Sequence, residues 1–169
     1  LVIEGNASLG REICAVNRQI DCVVVPVGGG GLSSGIITGI KESGKDIKVI
    51  GAEPLLSNDA ARSLKAGYIV KNEGEALTLA DGARTISLGQ LNWEILKESI
   101  AGIIEVPEEK IRAAVQMLFS LANLKCEPTG ALSLAAVLTN PEAFTGRNVC
   151  CVVSGGNVDT EIYRSILAD

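Results

Sequence analysis

A run of four glycines between two regular segments constrains this sequence most. The stretch VVVPVGGGGLSSG, residues 23–35, joins an apolar, β-branched run to a segment with the composition of a helix. Because glycine loses more conformational freedom on folding than any other residue, four in a row need a reason. A strand, a glycine loop and a helix form a backbone cradle for an anion, since amide N–H groups converge at the positive end of the helix dipole. A tight turn without a ligand is the alternative interpretation.

Two nucleotide-binding motifs fit this stretch poorly. It is not a P-loop, because no Gly-Lys-Ser or Gly-Lys-Thr follows the glycines. Gly28 and Gly30 match two positions of the dinucleotide-binding pattern GxGxxG, but Ser33 stands at the third. Ser33 or Ser34 could instead add a hydroxyl group to an anion cradle.

The charge and hydropathy of the chain limit its partners. The 169 residues carry a formal net charge of −5, which argues against nucleic acid because a phosphate-binding surface must be basic. No apolar stretch approaches the roughly 18 residues that a membrane span needs. We therefore predict neither a nucleic-acid nor a membrane partner.

The chain has no histidine and five cysteines. Acid–base chemistry must therefore come from Lys, Asp, Glu, Ser, a cofactor or a metal. The cysteines form no CxxC pair, and Cys22, Cys150 and Cys151 lie inside apolar runs. We predict that they are small buried hydrophobic residues rather than zinc ligands or disulfides, in a reducing, cytoplasmic compartment.

Strand-like and helix-like segments alternate along the chain. The apolar runs predict strands at 22–27, 47–54, 101–107 and 148–153, and helical periodicity predicts helices at 6–19, 33–44, 57–68, 92–100, 107–124, 129–139 and 160–168. Ser8 is the predicted N-cap of the first helix, with Leu9, Ile13 and Val16 on its buried face. This alternation predicts an α/β fold with an open, mostly parallel twisted sheet and helices on both faces.

Three stretches lie at or just after the ends of predicted strands. They are the glycine run, Ala-Glu-Pro at 52–54 and Ser-Gly-Gly-Asn at 154–157. In open parallel sheets, ligands bind at the carboxyl ends of the strands. A phosphate cradle beside the hydroxyl of Ser154 and the amide of Asn157 points to a phosphorylated cofactor that supplies the chemistry itself.

Five motifs in this order resemble one enzyme group: PVGGGGLSSGI, GAEP, LADG, CEPTGALSLAAVL and VVSGGNVD. Together they are similar to the C-terminal half of pyridoxal-phosphate (PLP) enzymes with the tryptophan-synthase β fold (fold type II), in the serine racemase and threonine or serine dehydratase group. The resemblance covers essentially the whole chain. It implies that residues 1–169 are a cofactor-binding α/β domain, part of the larger domain of a homodimeric enzyme. It also implies that the Schiff-base lysine lies in an absent N-terminal half, so no catalytic residue is assigned in this chain.

The resemblance implies eight cofactor-binding residues, which are Gly28, Gly29, Gly30, Gly31, Leu32, Gly82, Glu127 and Ser154. The four consecutive glycines and the Leu32 amide would hold the phosphate, and Ser154 would hydrogen-bond the pyridine nitrogen. A neutral hydroxyl there does not enforce pyridine protonation. That arrangement favours α-proton removal with prompt loss of a β-hydroxyl.

The same resemblance implies a site for Mg²⁺ or Ca²⁺. Its ligands would be the Glu53 carboxylate, the backbone carbonyl of Ser57 and the Asp59 carboxylate. Hard oxygen ligands of this kind suit either cation. From the residues alone, Glu53 could equally be a strand-end carboxylate and Asp59 an acidic residue of a helix's first turn.

The chain departs from the family pattern in three places. It carries GNAS at 5–8, where relatives often have GQGT. Asn123 stands where nucleotide-regulated relatives have a lysine, and Lys125 is displaced by two positions, although Asn157 matches their nucleotide-contacting asparagine. Activation by ATP is therefore not expected. None of the lysines lies in a Ser-Phe-Lys context, and we expect solvated side chains at Lys41, Lys45, Lys65, Lys71 and Lys97.

The activity implied by the resemblance is elimination from a hydroxy amino acid. L-Serine or L-threonine would give a 2-oxo acid and ammonia, and racemisation of serine or dehydration of hydroxyaspartate are the other reactions of the group. The alternative of a different class is a non-catalytic anion- or nucleotide-binding module, or a truncated product that keeps the cradle without the lysine.

Overall fold

The structure is a computed structural model that describes residues 1–16, 19–74 and 76–168. Its helices are α1 (Val2–Val16), α2 (Gly31–Glu42), α3 (Asp59–Ala66), α4 (Gln90–Ser99), α5 (Glu108–Ala122), α6 (Pro128–Thr139) and α7 (Thr160–Leu167). Its strands are β1 (Cys22–Pro26), β2 (Lys48–Pro54), β3 (Gly102–Val106) and β4 (Val149–Cys151). Short 3₁₀ helices lie at Leu55–Ser57, Asp81–Ala83 and Pro141–Phe144.

The four strands form one parallel sheet in the order β3-β2-β1-β4. In the register of the sheet, Cys22 of β1 pairs with Lys48 of β2 on one side and with Val149 of β4 on the other. All five residues of β1 are buried, as expected for a central strand of a sheet covered on both faces. The predicted α/β class with an open parallel sheet is confirmed.

Alternate side chains of β1 enter two different hydrophobic cores. Val24 packs in the core that contains Ile111 of α5 and Leu132 of α6. Val23 and Val25 point the other way, into the core beneath α2 and α4. This alternation follows from the two-residue period of a strand and places helices on both faces of the sheet.

Helices α1 and α2 touch through their backbones. A Cβ atom on Gly39 would overlap the carbonyl oxygen of Ala7, and one on Gly35 would overlap the Cβ of Asn6. Neither position has room for a side chain, so these glycines allow the close approach of the helices. The packing fixes α2, whose first residue is the fourth glycine of the run.

The predicted start of the first helix is wrong. Helix α1 begins at Val2 rather than after Ser8, whose hydroxyl donates to the carbonyl of Gly5 inside the helix. Its buried face includes Ala7, Gly10, Ile13 and Cys14, whereas Val16 is exposed. The close contact with α2 selects the smaller side chains for this face. Residues 17 and 18 of the predicted helix lie outside the described residues.

The last strand is shorter than predicted, because β4 ends at Cys151. Its position at the edge of the sheet leaves Cys150 and Cys151 half-buried, whereas Cys22 on the central strand is fully buried as predicted. All five cysteines are free. Burial raises the pKa of the thiols of Cys126 and Cys151 to about 11, and nearby ionisable groups add to the rise at both.

Within the described ranges, no helix combines the length and the apolar character that crossing a membrane requires. The assignment of residues 1–169 to a single cofactor-binding domain stays a prediction.

Candidate functional site

The glycine run turns sharply between β1 and α2. Gly30, the residue before α2, has a φ of 88°, in the left-handed region that favours glycine. A Cβ on Gly30 would stand 2.9 Å from the Cβ of Asn92 on α4. The carbonyl of Gly29 accepts hydrogen bonds from the Asn92 side-chain amide at 2.6 Å and from the Gly89 amide at 3.1 Å. The start of α4 therefore holds the glycine turn in place.

The turn presents backbone amides rather than hydroxyl groups. The first N–H groups of α2 have no carbonyl acceptor within their own helix and lie at its positive dipole end. The sequence-based suggestion that Ser33 or Ser34 adds a hydroxyl is wrong: both are fully buried, and they donate to the carbonyls of Gly30 and Asn92 respectively. Any anion bound here would be held by main-chain N–H groups.

A cavity of about 290 Å³ opens at the carboxyl ends of the strands. It is lined by Pro26, Gly28, Gly29, Gly30, Gly31, Leu32, Gly82, Glu127, Thr129 and Ser154. These ten residues include all eight that the sequence assigns to the cofactor. A Cβ atom on Gly29 would have no neighbour within 4 Å, so this glycine borders open space that a ligand group can fill.

One wall of the cavity joins the start of α6 to the turn after β4. The Glu127 amide donates to the carbonyl of Gly155 at 3.1 Å, and the Glu127 carboxylate accepts from the Asn157 amide at 3.1 Å. A Cβ on Gly130 would stand 2.6 Å from the carbonyl oxygen of Gly155. These contacts bring Ser154, three residues beyond β4, to the cavity.

The segment around Gly82 forms a further part of the cavity wall, next to the start of α6. The Gly82 amide donates to the Thr129 hydroxyl at 3.0 Å. Further back, the carboxylate of Glu108 accepts hydrogen bonds from the Thr78 hydroxyl at 2.6 Å and from the Leu79 amide at 2.7 Å. Helix α5 thus anchors the segment that carries Gly82.

The charged residues that line the cavity limit the acid–base chemistry available in it. Glu127 is the charged residue among those that line it. Lys41, Lys45, Lys65, Lys71 and Lys97 are exposed, as predicted. Within the described part of the chain the cavity therefore offers amides, hydroxyl groups and one carboxylate, with no lysine.

Comparison with known proteins agrees with this geometry. Residues 1–155 match the model of a family described as pyridoxal-phosphate dependent enzymes. The chain belongs to this family.

Several curated proteins and solved structures are similar to this chain. It is 36% identical to β-hydroxyaspartate dehydratase of Paracoccus denitrificans over 95% of its own length and 50% of the relative's. It is 37% identical to serine racemase of Arabidopsis thaliana, over 94% of this chain and 49% of the relative. The solved structure of maize serine racemase matches with a TM-score of 0.89 and 32% identity, over 98% of this chain and 52% of that one. The chain spans about half the length of the curated relatives it matches.

The residues that line the cavity fit the cofactor of the family. Glycines leave the backbone amides accessible, and Gly29 leaves open the volume that a side chain would fill. A phosphate group suits convergent N–H groups at the start of a helix. The hydroxyl of Ser154 lines the same cavity.

A second group of polar residues lies between β2 and α3. Both oxygens of the buried Glu53 carboxylate accept backbone amides of α3, from Ala60 at 2.8 Å and from Ala61 at 2.9 Å. Glu53 is therefore the cap of α3, whereas Asn58, the residue before the helix, provides no side-chain cap. Burial raises the pKa of Glu53 to about 8, and the charges of Asp59 and Glu105 add to the rise while the two amides oppose it.

Asp59 is also buried in this PLP-family chain, and its carboxylate is only half satisfied. Its Oδ1 accepts from the side-chain amide of Asn72 at 2.9 Å, while Oδ2 has no hydrogen-bond partner in the part of the chain that the structure describes. Burial raises its pKa, opposed by hydrogen bonds from its own amide and from Asn72, by the charge of Arg62 and by the Thr85 hydroxyl.

A divalent cation fits this donor set. Two buried carboxyl groups lie close together here, burial raises the pKa of each, and Asp59 Oδ2 has no hydrogen-bond partner among the described residues. No group of three or more His, Cys, Asp and Glu side chains among residues 1–16, 19–74 and 76–168 could hold a metal ion. A cation here therefore needs a backbone carbonyl and water as further ligands, which Mg²⁺ and Ca²⁺ accept.

Three residues of these two sites escape the sequence analysis. Thr129 stands inside the CEPTG motif and lines the cavity, and Asn92 holds the glycine turn. Asn72 contacts Asp59 from a loop. Of the three, only Thr129 could have been found from the sequence. It is a hydroxyl residue two positions after Glu127 in the CEPTG motif, where a helix is predicted to begin.

Proposed function

We propose that the protein carrying this chain catalyses PLP-dependent elimination from L-serine or L-threonine, giving a 2-oxo acid and ammonia, or racemises serine. One observation carries the proposal: a single cavity at the carboxyl edge of the sheet collects the glycine run, Gly82, Glu127 and Ser154. Relatives of the chain are named serine racemase, L-threonine ammonia-lyase and β-hydroxyaspartate dehydratase, which supports this class of reaction.

In this proposal the four glycines and the Leu32 amide hold the phosphate of PLP, since they line the cavity at the start of α2. The Ser154 hydroxyl, which lines the same cavity, would hydrogen-bond the ring nitrogen. Bound PLP supplies an electron-withdrawing ring that eases the breaking of bonds at the α-carbon of an amino acid.

The remaining residues orient the cofactor. Glu127 is held by the Asn157 amide, so its carboxylate keeps a defined position at the cavity wall. A neutral serine hydroxyl would not enforce protonation of the ring nitrogen. An unprotonated ring would withdraw less electron density from the amino acid than a protonated, cationic ring. The overall conversion proposed for L-serine or L-threonine balances without net water, since the water that would leave with the β-hydroxyl group would be taken up again when the 2-oxo acid and ammonia are released.

The proton-transfer groups are proposed to lie outside this chain. No lysine of the described residues lines the cavity, so the lysine that binds the cofactor covalently would come from a further segment of the protein. Homodimer formation and cytoplasmic location stay predictions.

The proposal includes a structural Mg²⁺ or Ca²⁺ ion. Glu53, the backbone carbonyl of Ser57 and Asp59 would bind it, as the sequence predicts. The unpartnered Oδ2 of the buried Asp59 supports this assignment, because an isolated buried carboxylate oxygen is costly.

Absorption and turnover of the intact protein test the proposal. With PLP added, we expect a visible absorption band that borohydride abolishes, formation of a 2-oxo acid from L-serine or L-threonine, and D-serine if racemisation occurs. The variant Gly29→Val should lose the band, since its side chain fills the cavity, whereas Gly102→Val, which also faces open space, should keep it. An intact protein without the band, but with nucleotide affinity, would instead be a binding module.

A further inference from the structure

Asn72 connects three separate segments around the proposed cation site. It lies in the loop after α3, and its side-chain amide donates to Asp59 Oδ1 and to the carbonyl of Thr85, both at 2.9 Å. The same nitrogen is 3.4 Å from the hydroxyl oxygen of Ser57. One amide group thus contacts residues on both sides of the site.

The orientation of the Asn72 amide is fixed by Arg62 of α3. Arg62 Nη2 donates to Asn72 Oδ1, and Arg62 Nε donates to Asn58 Oδ1 at 2.9 Å. Because a guanidinium group can only donate, the oxygen of Asn72 must face Arg62. The NH₂ group of Asn72 must therefore face Asp59.

This contact decides which Asp59 oxygen remains available. Oδ1 is occupied by Asn72, and Oδ2 is buried with no partner among the described residues. The Thr85 hydroxyl is also buried and makes no hydrogen bond of good geometry within those residues, but it lies close enough to Asp59 to lower the pKa of that carboxyl group. Buried polar atoms that lack a well-formed hydrogen bond are unusual in a folded protein, and this neighbouring pair keeps hydrogen-bonding capacity that a bound ion or water can use.

We propose that Asn72 is the positioning residue of the cation site and that the Thr85 hydroxyl binds a water molecule of the cation's coordination shell. Asn72 turns Asp59 so that Oδ2 faces the cation. Mg²⁺ and Ca²⁺ sites with few protein ligands retain water molecules, which need protein partners of their own. The inference rests on the cation site of the proposed function.

A cavity opens beside the residues that contact Asp59. It has a volume of about 390 Å³ and is lined by Asn72, Glu73, Gly74, Arg84, Thr85 and Ile86. Asn72 and Thr85 both line this cavity, and both also contact the buried Asp59, which does not line it itself. The Thr85 hydroxyl, which has no well-formed hydrogen bond, therefore belongs to a residue that lines this cavity.

A titration of the intact protein with Mn²⁺ tests the inference. The electron paramagnetic resonance signal of the free ion measures how much Mn²⁺ is bound. We expect Asn72→Ala to weaken Mn²⁺ binding about tenfold or more, as loss of a contact to a metal ligand typically does. Thr85→Val keeps the shape of the side chain and removes only the hydroxyl. It should weaken binding several-fold while leaving the melting temperature in EDTA unchanged.

Two controls separate this inference from the cation site itself. Asp59→Asn should abolish binding, and Asn148→Ala, at an exposed asparagine far along the chain, should leave it unchanged. If the wild type binds no Mn²⁺, the cation site and the role of Asn72 are both wrong. If the wild type binds it and both Asn72→Ala and Thr85→Val retain wild-type affinity, only the positioning role is wrong. If Asn72→Ala does not fold, Thr85→Val decides alone: wild-type affinity overturns the inference and weaker affinity supports it.

Discussion

A Cβ atom on Gly155 would stand 2.6 Å from Oε1 of Glu127. The turn after β4 and the start of α6 therefore meet at a position that has no room for a side chain. Because both residues belong to the wall that carries Ser154, this contact determines the shape of the cavity.

The variant Gly155→Ala should displace the Glu127 carboxylate. The atoms in the way are the end of the Glu127 side chain, which can move, so we expect a loss of unfolding free energy near the lower end of the about 1–3 kcal/mol that overpacking costs, together with weaker PLP binding. Urea unfolding and absorbance titration with PLP measure the two effects. Gly102→Ala is the control, because a Cβ there meets nothing within 4 Å; equal behaviour of the two variants would contradict the prediction.

Glu108 should matter for cofactor binding although it does not line the cavity. Its carboxylate holds Thr78 and Leu79, in the segment that leads to Gly82. Glu108→Ala should therefore raise the dissociation constant for PLP several-fold with only a modest loss of stability. The neighbouring exposed Glu109→Ala is the matched control, and a PLP affinity equal in both variants would show that the segment needs no such anchor.

Ser154 should affect turnover more than folding. The side chain is exposed at the mouth of the cavity, so Ser154→Ala removes few packing contacts. We expect lower turnover of L-serine by the intact protein with an unchanged melting temperature. Ser165→Ala, an exposed serine on α7, should change neither, and full activity of Ser154→Ala would remove Ser154 from the site.

Removing the Glu53 side chain should have two separable effects. Glu53→Ala leaves two amides of α3 without their acceptor, and loss of a helix cap costs about 0.5–2 kcal/mol. It should also abolish stabilisation by Mg²⁺, which for a native-state ligand at 100 times its dissociation constant amounts to about 2.7 kcal/mol.

Thermal unfolding with EDTA and with Mg²⁺ distinguishes these effects. Glu53→Gln keeps an oxygen that can accept from one amide, so in EDTA it should lose less stability than Glu53→Ala. Like Glu53→Ala, it should no longer be stabilised by Mg²⁺. Equal Mg²⁺-induced shifts in the wild type and both variants would place the cation elsewhere.

The stability of the chain should fall in alkaline solution. Burial raises the pKa of the Cys126 and Cys151 thiols from 9.0 to about 11 in the folded state. Between these pH values the unfolded chain loses protons that the folded chain retains, so folding becomes less favourable as the pH rises. The stabilisation is complete below about pH 9 and is lost as the pH passes through about 11.

Urea unfolding midpoints at pH 7, 9 and 10.5 measure this dependence. A variant with Cys126→Ala and Cys151→Ala should show a shallower decline than the wild type over the same range. Parallel curves for the two proteins would mean that other groups cause the alkaline loss.

The sequence predicts the strands well because of their burial. A strand covered on both faces has a continuous apolar run, and those of β1 and β2 are readily recognised. The start of α1 is mispredicted at Ser8 because the burial of this helix depends on close contact with Gly35 and Gly39, which no local pattern reveals.

The polar network of the cation site is harder to predict. Glu53 caps a helix that begins six residues later, across a short 3₁₀ helix. Asn72 lies in a loop without periodicity, and its partners come from distant segments. The family motifs identify the residues that line the cavity, whereas these contacts depend on the folded chain.

The segment 81–85 touches both proposed sites. The Ala83 carbonyl accepts from the Ser57 hydroxyl at 2.9 Å on the cation side, while the Gly82 amide donates to Thr129 on the cofactor side. Ligands that order the same segment are thermodynamically linked, and the linkage is reciprocal. If both proposed ligands bind, we therefore expect the cation to strengthen PLP binding by the factor by which PLP strengthens cation binding, so that the supply of magnesium would set how much of the protein carries PLP.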